Sequence, residues 1–119
     1  MKILINFLII FFISINLNAS NFTLKKITDL NEPWGSTFLN NNELLITEKS
    51  GKILIVNLKD QKSKIINHNL KVLEYGQGGL LDIIFRNNIV WVSYSEDRGN
   101  YKTSTSIARG NFDRDNIIF

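Results

Sequence analysis

The feature that most restricts this chain is an internal echo. Phe38-Leu39-Asn40-Asn41-Asn42 runs into Leu44-Leu45-Ile46-Thr47, and about 46 residues later Phe85-Arg86-Asn87-Asn88 runs into Val90-Trp91-Val92-Ser93. An apolar, turn, apolar unit that recurs at this distance belongs to a supersecondary module that buries its faces against the next copy of itself. From Phe22 onward, no stretch of ten or more residues places apolar positions at helical spacing; short β-rich runs alternate with clusters of Asn, Asp, Gly and Lys. The chain therefore reads as all-β.

Strands are expected at Phe22–Ile27, Gly35–Leu39, Glu43–Glu48, Lys52–Asn57, Ser63–Asn67, Gly79–Phe85, Asn88–Ser95 and Thr103–Phe112, with another beginning at Asn116. Asn40-Asn41-Asn42, Arg86-Asn87-Asn88 and Ser50-Gly51 supply the reversals, because Asn and Gly tolerate the positive φ of tight hairpins. Four short antiparallel strands per repeat is the size of one β-propeller blade, and two such blades account for the mature chain. Leu44-Leu45-Ile46, Ile53-Leu54-Ile55-Val56 and Ile89-Val90-Trp91-Val92 are nearly continuous apolar runs, as expected of sheets covered on both faces. A propeller closes only with more blades than two, so the pattern implies a partial ring whose uncovered faces self-associate. A small two-sheet sandwich or barrel is the competing architecture.

Before the repeats stands Lys2 and then Ile3 to Ile13, an apolar run broken only by Asn6, followed by Leu17-Asn18-Ala19, whose small last residue suits cleavage before Ser20. Residues 1–19 read as a secretory signal peptide. The run is about half of the ~20 apolar residues that a membrane span needs, so no stable span is expected after cleavage. The domain proper is then residues 20–119, the N-terminal part of a truncated propeller, in a periplasmic or secreted protein. The net charge of +3 falls to +2 without Lys2, and the basic residues are scattered, which argues against nucleic acid as a partner. With no Cys, a disulfide framework, a thiolate metal site and a Cys nucleophile are all excluded.

Tyr75-Gly76-Gln77-Gly78-Gly79-Leu80-Leu81-Asp82 is the segment richest in chemistry. Its glycines let backbone approach another group closely, and Gln77 offers both donors and an acceptor. It enters a strand rather than a helix and lacks the Lys-Ser/Thr pair of a phosphate-binding loop. Glu32-Pro33-Trp34-Gly35, Leu44-Leu45-Ile46-Thr47-Glu48-Lys49 with Gly51-Lys52-Ile53, Gly76 to Asp82, and Val92-Ser93-Tyr94 with Ile107-Ala108-Arg109-Gly110 resemble, in this order, the opening of the soluble quinoprotein aldose sugar dehydrogenases, the glucose/sorbosone dehydrogenase family. The likeness runs from about residue 29 to Phe119.

That resemblance implies a six-bladed β-propeller that oxidises an aldose at its anomeric carbon, with pyrroloquinoline quinone (PQQ) as hydride acceptor and calcium bound, in the periplasm. It implies Gln77 as a substrate-orienting hydrogen bonder, with Gly76, Gly78 and Gly79 bringing the loop to the cofactor pocket. Lys49 stands where the family usually has Arg, and a Lys cannot make a planar bidentate contact. The family's catalytic His, its quinone-binding cations and its calcium ligands match no position here, so no catalytic residue or metal ligand is assigned and neither the PQQ nor the calcium site is complete. A non-catalytic periplasmic propeller that binds a carbohydrate or a protein is the alternative.

Other candidates read as structural. His68 sits between Asn67 and Asn69 and is expected in an exposed loop. Glu48 and Asp82 are expected to be strand-end charges. Asp113-Arg114-Asp115-Asn116 lacks the glycine and terminal Glu of a calcium loop and reads as a hairpin turn. Trp34 and Trp91 are expected as corresponding aromatics buried between blades, and Tyr94 and Tyr101 as possible walls of a saccharide pocket.

Overall fold

A computed structural model describes residues 22–119; the leader assigned to residues 1–19 lies outside them. Eight strands follow in order: β1 (Pro33–Asn40), β2 (Glu43–Glu48), β3 (Ile53–Asn57), β4 (Ser63–His68), β5 (Leu80–Arg86), β6 (Ile89–Asp97), β7 (Thr103–Phe112) and β8 (Asn116–Ile118). Each set of four is an antiparallel meander, and these are the two blades. The order β1-β2-β3-β4-β8-β7-β6-β5 makes them formally one sheet, joined at the outer strands by a short parallel pairing of Asn67 with Asn116 and His68 with Ile117. At the other edge β1 and β2 pack on β5, so the sheet is doubled over and one blade faces the other. Successive up-and-down meanders, rather than Greek-key crossings, separate this from the sandwich that the sequence left open.

Residues 22–30 form no strand, contrary to the expectation for Phe22–Ile27. Phe22 and Leu24 are almost wholly exposed; β-propensity without a neighbouring edge to pair with does not make a strand. The remaining expected strands form within one or two residues of their predicted bounds.

The echo in the sequence has a three-dimensional counterpart. Phe38 pairs with Leu44 in the first blade as Phe85 pairs with Val90 in the second. Counting from Phe38 to Phe85 gives one residue more than from Leu44 to Val90, because β1 carries a bulge between Phe38 and Asn40. The two turns also differ. Asn87 and Asn88 both take positive φ, 52° and 58°, as a type I′ hairpin requires. In the first blade the Asn40 carboxamide instead accepts the Asn42 N–H at 2.9 Å, an Asx turn that accommodates the bulge.

The core lies between the blades. Leu45, Ile53, Ile55 and Ile66 of the first meet Leu80, Ile83, Val90, Val92, Tyr94 and Ile117 of the second. Each such side chain contributes roughly 1.5–3 kcal/mol by leaving water. β3 is buried along Ile53–Val56, as its continuous apolar run predicts. β6 is not: Val90 and Val92 are buried while Ile89 and Trp91 are only half-buried, so the equally apolar run there is an alternation with one outward face. Trp34 and Trp91 accordingly do not correspond. Trp34, on β1, is half-exposed on the outer face of the first blade; Trp91 takes the register position of Leu45, on the outer face of the second, with the Arg109 guanidinium 5.9 Å from its ring.

Candidate functional site

The first three motif segments and Val92-Ser93-Tyr94 of the fourth, far apart in sequence, converge where β1 and β2 meet β5 and β6, while Ile107 to Gly110 lie on β7 beside that junction. Thr47 is the hinge of this convergence. It is fully buried in an apolar strand, and its hydroxyl must therefore find partners. It accepts the Gly35 N–H at 2.9 Å and donates to the Leu81 carbonyl across the blade junction. Gly35 is required here, since a Cβ would stand 2.8 Å from Asp82 Cα. One residue pair further along, the Leu80 N–H donates to the Lys49 carbonyl at 3.0 Å.

These bonds fix the start of β5 and hence the loop before it. Tyr75 and Gly78 bond reciprocally through their backbones, 2.8 and 3.3 Å, closing a two-residue turn with Gly76 and Gln77 at its tip. Gly76 alone of the two has positive φ, 56°, the pattern of a type II′ turn. Ser95 holds the other side of the loop: its hydroxyl accepts the Gly79 N–H at 3.2 Å, its own N–H donates to the Gly79 carbonyl at 2.8 Å, and a Cβ on Gly78 would stand 2.5 Å from Ser95 Oγ. Gly79 is likewise pressed against Lys49, backbone to backbone. The closeness that Gly78 and Gly79 permit is thus taken up by the chain itself, and Gln77 is what the hairpin displays to solvent.

Two of the cations around the loop are already paired. Lys49 Nζ faces Glu32 at 3.6 Å with its side chain mostly buried, and Arg98 pairs with Glu96 at 2.8 Å. Glu48 is buried, accepts the Asn31 N–H at 2.7 Å and lies 4.0 Å from Lys52, so it fastens the entry to β1. Asp82 is exposed and accepts its neighbour's N–H, that of Ile83, at 2.9 Å. Among the described residues, no group of three or more His, Asp or Glu is placed to hold a metal ion.

Two aromatic expectations change. Tyr94 packs in the inter-blade core and cannot line a saccharide pocket; burial, and then the Glu96 charge, push its phenol above the ordinary value. Tyr101 is exposed at the tip of the β6–β7 loop, with φ 58°. His68 is not in an exposed loop. It ends β4, half-buried, with Nε2–H donating to the Gly51 carbonyl at 2.6 Å, Nδ1 accepting the Leu70 N–H at 3.3 Å, and its ring edge-on to Phe119 at 6.2 Å. A partner strand drew it inward, which its polar neighbours could not disclose. Asp113–Asn116 is a hairpin turn as expected: Asp113 accepts the N–H groups of Asn116 and Asp115 at 2.7 and 3.0 Å, and these bonds hold its carboxyl below the ordinary value.

Sequence reasoning missed the roles of Thr47 and Ser95, although a lone polar residue inside an apolar strand is a legible signal. It also missed the grip of Arg114 on Glu43, two N–H···O bonds of 2.7 and 3.1 Å between residues 71 apart, which nothing local announces.

A family profile described as Glucose / Sorbosone dehydrogenase matches residues 30–118. The chain is 30% identical over 92 residues to the aldose sugar dehydrogenase YliI of Escherichia coli (strain K12), a match that takes in 72% of this chain and 25% of that protein. A solved glucose dehydrogenase superimposes with a TM-score of 0.74 at 26% identity, over 82% of this chain and 31% of its own. The apo-form soluble aldose sugar dehydrogenase (Asd) from Escherichia coli gives 0.66 at 28% identity, over 74% and 28%. The PQQ-bound form of the aldose sugar dehydrogenase (Adh) from Streptomyces coelicolor gives 0.69 over 78% and 28%, and at 23% identity that likeness is one of fold. The chain spans between a quarter and a third of the length of these relatives.

Proposed function

The chain belongs to the glucose/sorbosone dehydrogenase family, and from that membership we propose that it supplies the first two blades of a periplasmic, PQQ-dependent dehydrogenase that oxidises an aldose at C1. In this reading residues 1–19 export the chain and are removed, and Gln77 orients the sugar by hydrogen bonds from the hairpin tip. The observation that carries it is the convergence of three motif segments on one junction whose product is a braced, outward-facing Gln77.

The residues present do not by themselves fit the cofactor or calcium. An anionic quinone needs free cations, and Lys49 and Arg98 beside the loop are paired with Glu32 and Glu96. Gly76 serves the turn, and Gly78 and Gly79 serve contacts to Ser95 and Lys49, so the glycines shape the rim rather than ligate. Calcium needs several oxygen ligands in one place, and the described acidic residues are not so grouped. No chemical step is assigned to these two blades alone; their part is to bind and orient.

Two measurements test this. The purified chain, given PQQ, calcium, glucose and a reducible dye, is expected to leave the dye oxidised; reduction would refute the incompleteness of the site. Grafting residues 30–118 in place of the matching blades of the Escherichia coli relative is expected to preserve sugar-dependent dye reduction, and Gln77→Ala in that graft to raise KM for the aldose. A folded graft that binds sugar without any turnover would favour the non-catalytic reading.

A further inference from the structure

Both feet of the loop before β5 are pinned to one residue of β6. The Leu73 N–H donates to the Ser95 carbonyl at 2.9 Å, and the Ser95 N–H donates to the Gly79 carbonyl at 2.8 Å, so residues 74–78 stand out from the sheet between two fixed points. Within this excursion the Tyr75 and Gly78 backbones are bonded to each other. The turn so closed displays a Tyr75 ring that is 78% exposed and, beside it, the exposed Gln77 carboxamide. Two peptide units separate these residues, which holds their Cα atoms within roughly 7 Å of each other.

An aromatic ring left in water forfeits about 25 cal/mol for each Å² of apolar surface that packing would have covered. The local sequence denies Tyr75 that cover. Its cross-strand partner is Gly78, which has no side chain to lie over the ring, and the next residue is Gly76, where an added Cβ would meet nothing within 4 Å. Tyr94, by contrast, is spent in the inter-blade core. A bare ring next to a carboxamide matches the two kinds of surface on a pyranose: an apolar face of C–H bonds and an edge of hydroxyls. Tyrosine supplies such a contact at low conformational cost, since only two torsions have to be fixed. We propose that Tyr75 is a sugar-binding residue whose ring lies against the C–H face of the aldose, selecting closed pyranose rings over open-chain polyols. This rests on the reading of Gln77 as the group that holds the sugar's hydroxyls.

The full chain, isotope-labelled in its tyrosine rings and glutamine amides, is titrated by NMR with glucose and, separately, with sorbitol, an open-chain polyol that has no ring face. Glucose is expected to shift both the Tyr75 ring and the Gln77 amide, and sorbitol to leave the ring in place. Tyr75→Ala is expected to weaken glucose binding about tenfold, read from the Gln77 amide, and Tyr75→Phe to stay within about twofold of the parent, because the ring and not its hydroxyl makes the contact. The side chain is exposed, so both variants are expected to fold, and an unchanged unfolding midpoint checks this. A Gln77 amide that titrates alike in the parent and in Tyr75→Ala would overturn the ring contact and leave the role of Gln77 standing. A ring that shifts while the amide does not would uphold the contact and remove the role of Gln77. If glucose moves neither, the ring contact falls, and dye reduction by the graft separately decides the dehydrogenase reading.

Discussion

The Thr47 hydroxyl, on β2 of the first blade, donates its proton to the Leu81 carbonyl on β5 of the second. The same oxygen accepts the Gly35 N–H, so one buried side chain satisfies backbone groups from two other strands and ties three motif segments together.

Removing that hydroxyl should cost more than a hydrogen bond. Thr47→Val keeps the shape but leaves the Gly35 N–H and the Leu81 carbonyl unpaired in the core. We expect a loss of about 1–3 kcal/mol, read as a lower urea midpoint with an unchanged slope. Thr47→Ser, which restores the hydroxyl, should recover most of it.

Two glycines that look alike in the sequence should behave differently. A methyl at Gly79 meets the Lys49 backbone, which is held by Leu80, so Gly79→Ala is expected to cost about 3 kcal/mol. At Gly76 nothing stands near the new methyl and only the positive φ opposes it, so Gly76→Ala should cost about 1 kcal/mol. Thermal unfolding of both variants, side by side, checks the order.

Acid should loosen the junction of the blades at Glu43. The Arg114 guanidinium, with the Asn40 amide, holds this carboxyl below its ordinary value of 4.5. A depressed folded pKa means the stabilisation is complete above 4.5 and drains away as pH falls through the lower folded value. Glu43→Gln should therefore flatten the acid limb of a melting-temperature profile. Arg114 is more than half exposed, so the effect should stay within about 1 kcal/mol and shrink with added salt. Asp113 titrates in the same direction, through its turn N–H groups, and leaves a residual slope in that variant.

Gln77 should be dispensable for folding. It is exposed at the tip of a turn closed by backbone bonds, so Gln77→Ala is expected to leave unfolding within about 0.5 kcal/mol of the parent. A larger loss would make it a structural residue and weaken its proposed role toward sugar.

Much of the architecture was legible because strand pairing obeys local rules. Short β-rich runs separated by clusters of Asn, Asp, Gly and Lys located β1 to β8, and the repeat distance divided them into two blades. The run at Phe22–Ile27 misled because β-propensity alone does not pair a strand, and the run in β6 misled because an apolar strand with one buried and one outward side reads, residue by residue, like one covered on both sides. His68 misled because its burial depends on Gly51 and Phe119, neither of which adjoins it in sequence.

Residue order alone therefore determined the elements, their grouping and the kinship of the motifs, since propensity, turn chemistry and motif spacing are properties of neighbours along the chain. Only the folded arrangement decided what the motif residues do: that Thr47 bridges blades, that Gly78 and Gly79 are consumed by Ser95 and Lys49, that Tyr94 is core, and that Gln77 is left facing outward. Those outcomes depend on which backbone groups lose water on packing and must find partners across tens of residues, a constraint that exists only once the blades meet.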